Sequence, residues 1–159
     1  MILIALGSNL PFAGAAPREV LEAALDSISR EGIVVVARSR FYTAAASPPS
    51  EQPRYVNAVA RVETSLTPAA LMRILHLIED RFGRVRGAPN AARTLDLDLL
   101  DYDGQILDGP LMLPHPRLAG RGFVLLPLAE VAPGWVHPVS GQSVTELIAA
   151  LPPQDARPI

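Results

Sequence analysis

Residues 93–100, Arg93-Thr94-Leu95-Asp96-Leu97-Asp98-Leu99-Leu100, alternate leucine with aspartate and predict a β-strand. Side chains two residues apart share a face of a strand, so Asp96 and Asp98 should lie side by side, opposite the leucines. Two carboxylates on one face repel each other, and a bound cation would turn that cost into a binding site. Mg²⁺ typically takes one or two protein carboxylates, with water and phosphates as its other ligands. An edge strand with exposed acidic spacers is the alternative that this segment alone leaves open.

Patterns on either side of this strand predict a sequence of strands and helices. Pro17 is placed as a first helical residue, and Thr67 is placed as an N-cap before Pro68. Gly32 and Gly83 are placed as helix stops. The predicted elements are a strand over 2–6, a helix over 17–32, a long strand over 33–42, a loop over 43–53, a strand over 55–63, a helix over 68–83, the acidic strand to about residue 102, a brief strand over 123–126, and a last helix over 144–151.

The order strand-helix-strand-strand-helix-strand predicts an α+β fold with a ferredoxin-like split βαβ core. In that arrangement an antiparallel sheet carries both helices on one face. The remaining C-terminal third should extend the sheet or cover its other face, which would give α-β-α layers. We see no repeat and no linker, so residues 1–159 are predicted to form a single domain. The proline-rich tail after Leu151 is expected to be mobile.

Composition excludes several classes of protein. The chain has 159 residues, 49% of them hydrophobic, yet no apolar run reaches the roughly 20 residues of a membrane span. The first seven residues lack a basic region and predict a strand, not a signal peptide. A net charge of −2 argues against nucleic acid as a partner. The absence of cysteine excludes disulfides and thiolate chemistry, and the cytoplasm is the expected compartment.

All fourteen basic side chains are arginine, because the sequence contains no lysine. A P-loop lysine, a protein-kinase strand lysine and a lysine Schiff base are therefore excluded. Any phosphate bound here must be held by arginine, backbone amides, a helix N-terminus or a metal ion.

Two helical side chains and two arginines precede the acidic strand in sequence. His76 and Glu79 are spaced i and i+3 on what we predict to be the polar side of the second helix, and Arg84 and Arg86 follow that helix. Guanidinium groups match phosphate oxygens, so the segment could bind phosphates beside a metal. Taken singly, a histidine such as His76 is most often a surface residue of a helix, and a glutamate such as Glu79 is most often half of an ion pair.

Further candidates lie outside this segment. His115 stands between two prolines in a rigid turn, and Arg121 is flanked by glycines that permit close backbone approach to a ligand. Tyr55 and Phe123 could stack on a planar ring, and Asn57 could bind the edge of a heterocycle. His137 has no evident partner in the sequence and is expected to be structural.

Taken together, these motifs resemble the 6-hydroxymethyl-7,8-dihydropterin pyrophosphokinase family over nearly the whole chain. The motifs that carry the resemblance are Leu6-Gly7-Ser8-Asn9-Leu10, Phe41-Tyr42, Gln52-Pro53-x-Tyr55-x-Asn57-Ala58, Gly83-Arg84-x-Arg86, Arg93-Thr94-Leu95-Asp96-Leu97-Asp98, Pro114-His115-Pro116 and Arg121-Gly122-Phe123. The resemblance implies transfer of pyrophosphate from ATP to the pterin hydroxymethyl group in folate biosynthesis, with release of AMP and use of two Mg²⁺ ions.

The resemblance also implies a role for each candidate residue. It implies Asp96 and Asp98 as metal ligands; Arg84, Arg93, Asp96 and Asp98 as catalytic residues; His76, Glu79, Arg84, Arg86, Arg93, His115 and Arg121 as the ATP site; and Gly7, Tyr55, Asn57 and Phe123 as the pterin site. The expected partners are these two small molecules, with no nucleic acid and no membrane, and the expected state is a monomer.

The sequence departs from the family pattern at three places. Ala44-Ala45-Ala46 replaces a frequent Thr-Pro-Pro, so only backbone contacts to the pterin are expected there. Pro89-Asn90-Ala91-Ala92 replaces a segment that often carries tryptophan, and His76 replaces a usual glutamine. Two alternatives stay open on the residues alone: another Mg²⁺-dependent phosphohydrolase, and a non-catalytic ferredoxin-like binding module.

Overall fold

Six strands and four helices make up the fold in the computed structural model, which describes all residues from Met1 to Ile159. The elements in chain order are β1 (Ile2–Ser8), α1 (Pro17–Arg30), β2 (Val34–Arg38), β3 (Tyr42–Ala44), β4 (Tyr55–Glu63), α2 (Pro68–Arg81), β5 (Asp96–Tyr102), α3 (Gly122–Val131), α4 (Val144–Ala149) and β6 (Arg157–Pro158). A short 3₁₀ turn, Leu118–Gly120, precedes α3. No helix is both long enough and apolar enough to span a membrane.

The strands form one antiparallel sheet in the order β5-β1-β4-β3-β6, with β2 paired to the other half of β4. β1 lies between β5 and β4, and each crossover between strands passes through a helix. This order confirms the predicted ferredoxin-like core and the α+β class. β5, β1 and β4 therefore lie side by side, with β5 at one edge of the sheet.

Helices α1 and α2 cover one face of the sheet because each has an apolar stripe. The stripe of α2 buries Leu71, Leu75 and Ile78, and Thr67 caps this helix by accepting a hydrogen bond from Ala70 N at 3.2 Å. The buried residues of both helices pack with alternate side chains of the strands in one core: Ile2, Ile4, Leu6, Ala58, Ala60, Val62, Leu95, Leu97 and Leu99.

Helices α3 and α4 cover the opposite face and complete three α-β-α layers. They pack on Leu3, Val59 and Leu100, which point away from the first core. Trp135, which follows α3, donates through Nε1 to the buried carboxylate of Asp101 at 2.8 Å. The C-terminal third therefore covers the second face, and only β6 extends the sheet.

The prediction of one long strand over 33–42 is wrong, because the chain breaks into β2 and β3 around Ser39. Ser39 N donates to Val59 O at 2.9 Å, and Ser39 Oγ accepts from Val59 N at 3.0 Å. The hydroxyl thus replaces a backbone carbonyl in the pairing with β4. The register then shifts, since Arg38 lies opposite Ala60 but Tyr42 lies opposite Asn57.

Two further predictions in the C-terminal third are wrong. Residues 123–126 belong to α3 and do not form a strand, and the buried side chains Val124, Leu125 and Leu128 follow a helical spacing. The tail after Leu151 is tied to the sheet, since Arg157–Pro158 pairs with β3 as β6. The strand prediction for 123–126 was wrong because a short apolar run fits either a buried strand or a buried helix.

Candidate active site

A single cleft lies on the face of the sheet that α3 covers, where β1, β4 and β5 meet the loops that follow β3 and α2. All the residues predicted to form the site line this cleft: Gly7, Tyr55, Asn57, His76, Glu79, Arg84, Arg86, Arg93, Asp96, Asp98, His115, Arg121 and Phe123. The fold thus brings together residues from five regions of the chain.

Asp96 and Asp98 lie on the same face of β5, opposite the buried leucines. They pair across the sheet with Gly7 and Ala5 of β1. The carboxylate of Asp96 contacts two arginines, with Oδ1 3.0 Å from Arg84 Nη1 and Oδ2 2.9 Å from Arg93 Nη1. Asp96, Asp98, Arg84 and Arg93 therefore lie together, and we call them the carboxylate–arginine cluster.

Glu79 is buried, so its predicted position on the polar side of α2 is wrong. Only 2% of its surface is exposed, and Oε2 accepts the backbone N–H of Leu97 at 2.8 Å. Its carboxylate also contacts Arg84 Nη1 at 3.1 Å and Arg86 Nη2 at 2.8 Å. Its position four residues after the buried Leu75 was a signal in the sequence that it faces inward. Glu79 therefore joins α2, β5 and both arginines at the base of the cleft.

Asp98 carries the most strongly perturbed carboxyl group of the cleft. Burial, and then the negative charges of Asp96 and Glu79, raise its pKa to about 7, against the opposing charges of Arg121 and Arg93. A cation between the two aspartates would relieve this repulsion, so the donor set fits a hard divalent ion. No group of three or more potential metal-ligating side chains is present, so other ligands would have to come from water or phosphate.

His115 is held neutral beside Asp98. Burial, and then the charges of Arg121 and Arg117, lower its pKa to about 4. Nδ1 accepts the backbone N–H of Arg117 at 3.2 Å, so the single ring proton of the neutral form belongs on Nε2. Nε2 lies 4.0 Å from Asp98 Oδ2. His115 therefore offers the cleft a hydrogen-bond donor at physiological pH.

The other end of the cleft, around Gly7, Tyr55, Asn57 and Phe123, is lined mostly by uncharged residues. Gly7 lies opposite Asn57, and a Cβ at Gly7 would lie only 3.0 Å from Asn57 Oδ1 and 3.7 Å from Tyr55. The Nδ2 group of Asn57 is buried without a hydrogen-bond partner, a costly arrangement that the polar edge of a ligand would satisfy. The guanidinium of Arg121 lies 5.4 Å from the centre of the Phe123 ring.

Asn9 connects three loops around the cleft. Its Nδ2 donates to Gln52 Oε1 and to Pro53 O, both at 3.1 Å, and its Oδ1 accepts from Arg93 N at 2.8 Å. Gln52 Nε2 donates in turn to the carbonyl of Asn90. Side-chain amides therefore connect the segment after β1, the segment before β4 and the segment that replaces the expected tryptophan loop.

Comparison with known proteins agrees with this geometry. The family model described as 7,8-dihydro-6-hydroxymethylpterin-pyrophosphokinase (HPPK) matches residues 3–133. The chain belongs to the HPPK family. It is 44% identical over 153 residues to the 2-amino-4-hydroxy-6-hydroxymethyldihydropteridine pyrophosphokinase of Pseudomonas aeruginosa, covering 95% of this chain and 91% of that protein. It is 45% identical over 147 residues to the protein of the same name from Haemophilus influenzae, covering 91% and 89%.

Solved structures of HPPK-DHPS proteins share the fold of this HPPK-family chain. A crystal structure described as HPPK-DHPS in complex with substrates matches 94% of this chain with a TM-score of 0.69 at 12% identity. The wild-type HPPK-DHPS of Plasmodium falciparum matches 93% with a TM-score of 0.70 at 12% identity. This chain spans less than half of those two chains, 43% and 44% respectively.

Sequence reasoning missed several residues that line the cleft of this HPPK-family protein. They are Ser47, Gln52, Asn90 and Arg117. Gln52 stood within a quoted motif but was given no role, and Arg117 directly follows the motif around His115. The others lie in loops without a local pattern, so only the three-dimensional arrangement identifies them.

Proposed function

We propose that this protein transfers the terminal pyrophosphate of ATP to the hydroxymethyl group of 6-hydroxymethyl-7,8-dihydropterin in folate biosynthesis, with release of AMP. The observation that carries the proposal is one cleft that joins a carboxylate–arginine cluster to a mostly uncharged end with an unpaired buried amide. The first end suits a metal-bound polyphosphate and the second suits a planar heterocycle. Membership of the HPPK family, and relatives named as pyrophosphokinases, support the same reaction.

In the proposed reaction the pterin hydroxyl oxygen attacks the β-phosphorus of ATP. The new O–P bond forms as the bond between the β-phosphorus and the α–β bridging oxygen breaks, and AMP leaves with that oxygen. The hydroxyl proton passes to solvent, because we assign no side chain as a general base. The rate then depends on alignment of the two substrates and on stabilisation of charge in the polyphosphate.

The arginines would bind the polyphosphate. Arg84 and Arg93 already converge on Asp96, so both can exchange that carboxylate for phosphate oxygens through small side-chain movements. Arg84 Nε is buried and has no hydrogen-bond partner, which leaves it free to donate to a phosphate. Arg86 would support the same group from its contact with Glu79.

Asp96 and Asp98 would hold Mg²⁺, and we propose two ions, as the family resemblance implies. When bound, the ions supply positive charge to the polyphosphate. Burial, and then repulsion from Asp96 and Glu79, raise the pKa of Asp98, and such a cation would relieve the repulsion.

The remaining cleft residues would orient the substrates. His115 and Arg121 would contact the nucleotide, with His115 acting as a neutral donor through Nε2, and His76 would lie near the nucleotide from the exposed side of α2. Gly7, Tyr55, Asn57 and Phe123 would form the pterin pocket. We further propose that residues 1–159 act as one catalytic domain, as a monomer in the cytoplasm.

Pterin-dependent formation of AMP tests the proposal. The protein is mixed with ATP, Mg²⁺ and 6-hydroxymethyl-7,8-dihydropterin, and AMP is quantified by chromatography. AMP is expected only when all three are present and should disappear when EDTA is added. Nucleotide hydrolysis without pterin would instead support a phosphohydrolase, and binding without turnover would support a non-catalytic module. No relative described above favours either alternative.

A further inference from the structure

The segment 152–159 lies along the outer edge of the cleft. Arg157 and Pro158 pair with Thr43 and Tyr42 of β3, and Ile159 N donates to Phe41 O at 3.0 Å. β3 leads directly into residues 45–47, which line the cleft. The segment is therefore attached to the strand that carries one wall of the cleft.

Asp155 connects this segment to the wall itself. Its carboxylate accepts the backbone N–H of Ala45, with N–O distances of 3.2 and 3.4 Å, and receives Arg54 Nη1 at 2.7 Å. Arg54 Nε donates to Thr43 Oγ1 at 3.1 Å. Arg54 directly precedes Tyr55, so the network joins the end of β3 to the start of β4 beside the uncharged end of the cleft.

Gln154 reaches the opposite wall. A Cβ at Gly122 would lie 2.1 Å from Gln154 Oε1, so the glutamine side chain packs directly on the first residue of α3. The neighbours of Gly122 in sequence, Arg121 and Phe123, both line the cleft. Residues 154 and 155 thus contact two walls that are far apart in sequence.

Residues 44–46, in the wall of the cleft that Asp155 contacts, are all alanine and therefore have no polar side chains. Only backbone groups can offer hydrogen bonds to a ligand there, so the position of the backbone determines what the wall can bind. With Ala45 N–H engaged by Asp155, the orientation of this short segment is tied to the segment 152–159.

This wall is also distant from the carboxylate–arginine cluster. The sheet order places two strands, β1 and β4, between β5 and β3. Three inter-strand spacings correspond to about 14 Å. A disturbance at residues 44–47 should therefore affect the uncharged end of the cleft and leave the carboxylate–arginine cluster largely unchanged.

We propose that Asp155 is a positioning residue for the pterin side of the cleft, because it fixes the backbone of residues 44–47 through Ala45 N and Arg54. The proposal rests on the proposed function, which identifies the substrate at this end of the cleft as the pterin. Asp155 and Arg54 are about half exposed, with 51% and 42% of their side-chain surfaces accessible. Such an ion pair contributes little to global stability, so the effect should appear in substrate binding.

The test compares Asp155→Ala and Asp155→Asn with Asp108→Ala, an exposed aspartate without an ion pair or hydrogen bond. KM for each substrate and kcat are measured from AMP formation, and Tm is measured in parallel. Asp155→Ala should raise KM for the pterin by about three- to tenfold, as expected from losing one weak positioning contact. Its kcat and its KM for ATP should stay within about twofold.

Asp155→Asn should fall between the unmodified protein and Asp155→Ala, because the amide oxygen still accepts from Ala45 N. Asp108→Ala should match the unmodified protein. An unchanged KM for the pterin in Asp155→Ala, or an equal rise in KM for both substrates, would overturn the positioning role while the proposed function stands. Absence of pterin-dependent AMP from the unmodified protein would overturn both.

Discussion

Arg84 Nη1 lies 3.0 Å from Asp96 Oδ1 at the base of the cleft, and the same nitrogen lies 3.1 Å from Glu79. Arg84 is therefore shared between the buried carboxylate of Glu79 and the partly exposed carboxylate of Asp96, which lines the cleft. The side chain of Arg84 is only 11% exposed, so it needs both partners or a replacement for one of them. A phosphate that replaces Asp96 as partner of Arg84 would release this carboxylate for a cation.

Asp98→Ala should reduce turnover far more than nucleotide affinity. The change removes one of the two carboxylates proposed to bind Mg²⁺ but leaves Arg84, Arg93 and Arg121 in place. We expect kcat to fall by about 10²–10³-fold, while the Kd for ATP measured by calorimetry changes by less than about fivefold. Near-normal turnover in this variant would contradict the metal assignment, and Asp108→Ala provides the control for a remote aspartate.

Glu79→Ala should destabilise the fold strongly, because it leaves Leu97 N–H and Arg84 without their buried acceptor. The expected loss in the free energy of unfolding is about 3 kcal/mol. Glu79→Gln keeps an oxygen for Leu97 N–H and should lose less. Urea denaturation of both variants measures the difference, and a loss below about 1 kcal/mol in Glu79→Ala would show that the ion pairs are not needed for folding.

The fold was predictable from the sequence where a local pattern determined the structure. The alternation of leucine and aspartate identified the face on which Asp96 and Asp98 lie, because successive side chains of a strand point to opposite faces of the sheet. Thr67 and Pro68 identified the start of α2, because an N-cap side chain and a proline in the first turn act within the helix itself. The break at Ser39 was not predictable, because it depends on a hydroxyl that reaches β4, twenty residues away in sequence.

The candidate site residues could be named from the sequence, but their geometry could not. The family motifs contain Arg84, Arg86, Arg93, Asp96 and Asp98, and the resemblance added Glu79 to the proposed ATP site. They did not show that Glu79 is buried, because a charged residue in a helix is usually solvated. The contact of the segment 152–159 with the cleft could not be predicted for a different reason. Asp155 accepts a hydrogen bond from Ala45 N, 110 residues away in sequence, and no local pattern indicates such a contact.

Glu130→Gln should lower stability in a pH-dependent way. Burial opposes ionisation of Glu130, but hydrogen bonds from Tyr42 and Arg40 outweigh it and lower its pKa below the ordinary value of 4.5. A lowered carboxyl pKa stabilises the fold above the pKa of the unfolded chain, and this stabilisation is lost as the pH falls through the lowered value. The variant should be less stable by about 1 kcal/mol at pH 7, and the difference should shrink towards pH 3. A difference that stays constant across this range would contradict the ionic contribution.

Gly83→Ala, at the end of α2, should lower the stability of the fold by more than Gly104→Ala does. Gly83 has φ +74°, and a Cβ there would lie 2.6 Å from the Phe12 ring. Gly104 has φ +71° with open space around it, so Gly104→Ala isolates the backbone cost of about 1 kcal/mol. Thermal unfolding should show a larger loss for Gly83→Ala, and equal losses would mean that Phe12 moves freely.

The fate of isotopic label tests the central claim most directly. Two reactions are run with pterin and Mg²⁺, one with ATP labelled at the α-phosphate and one with ATP labelled at the β-phosphate, and the products are separated by chromatography. Pyrophosphate transfer predicts that the α-label appears only in AMP and that the β-label appears in the pterin product. A β-label that remains in ADP or is released as inorganic phosphate or pyrophosphate would contradict the proposed reaction.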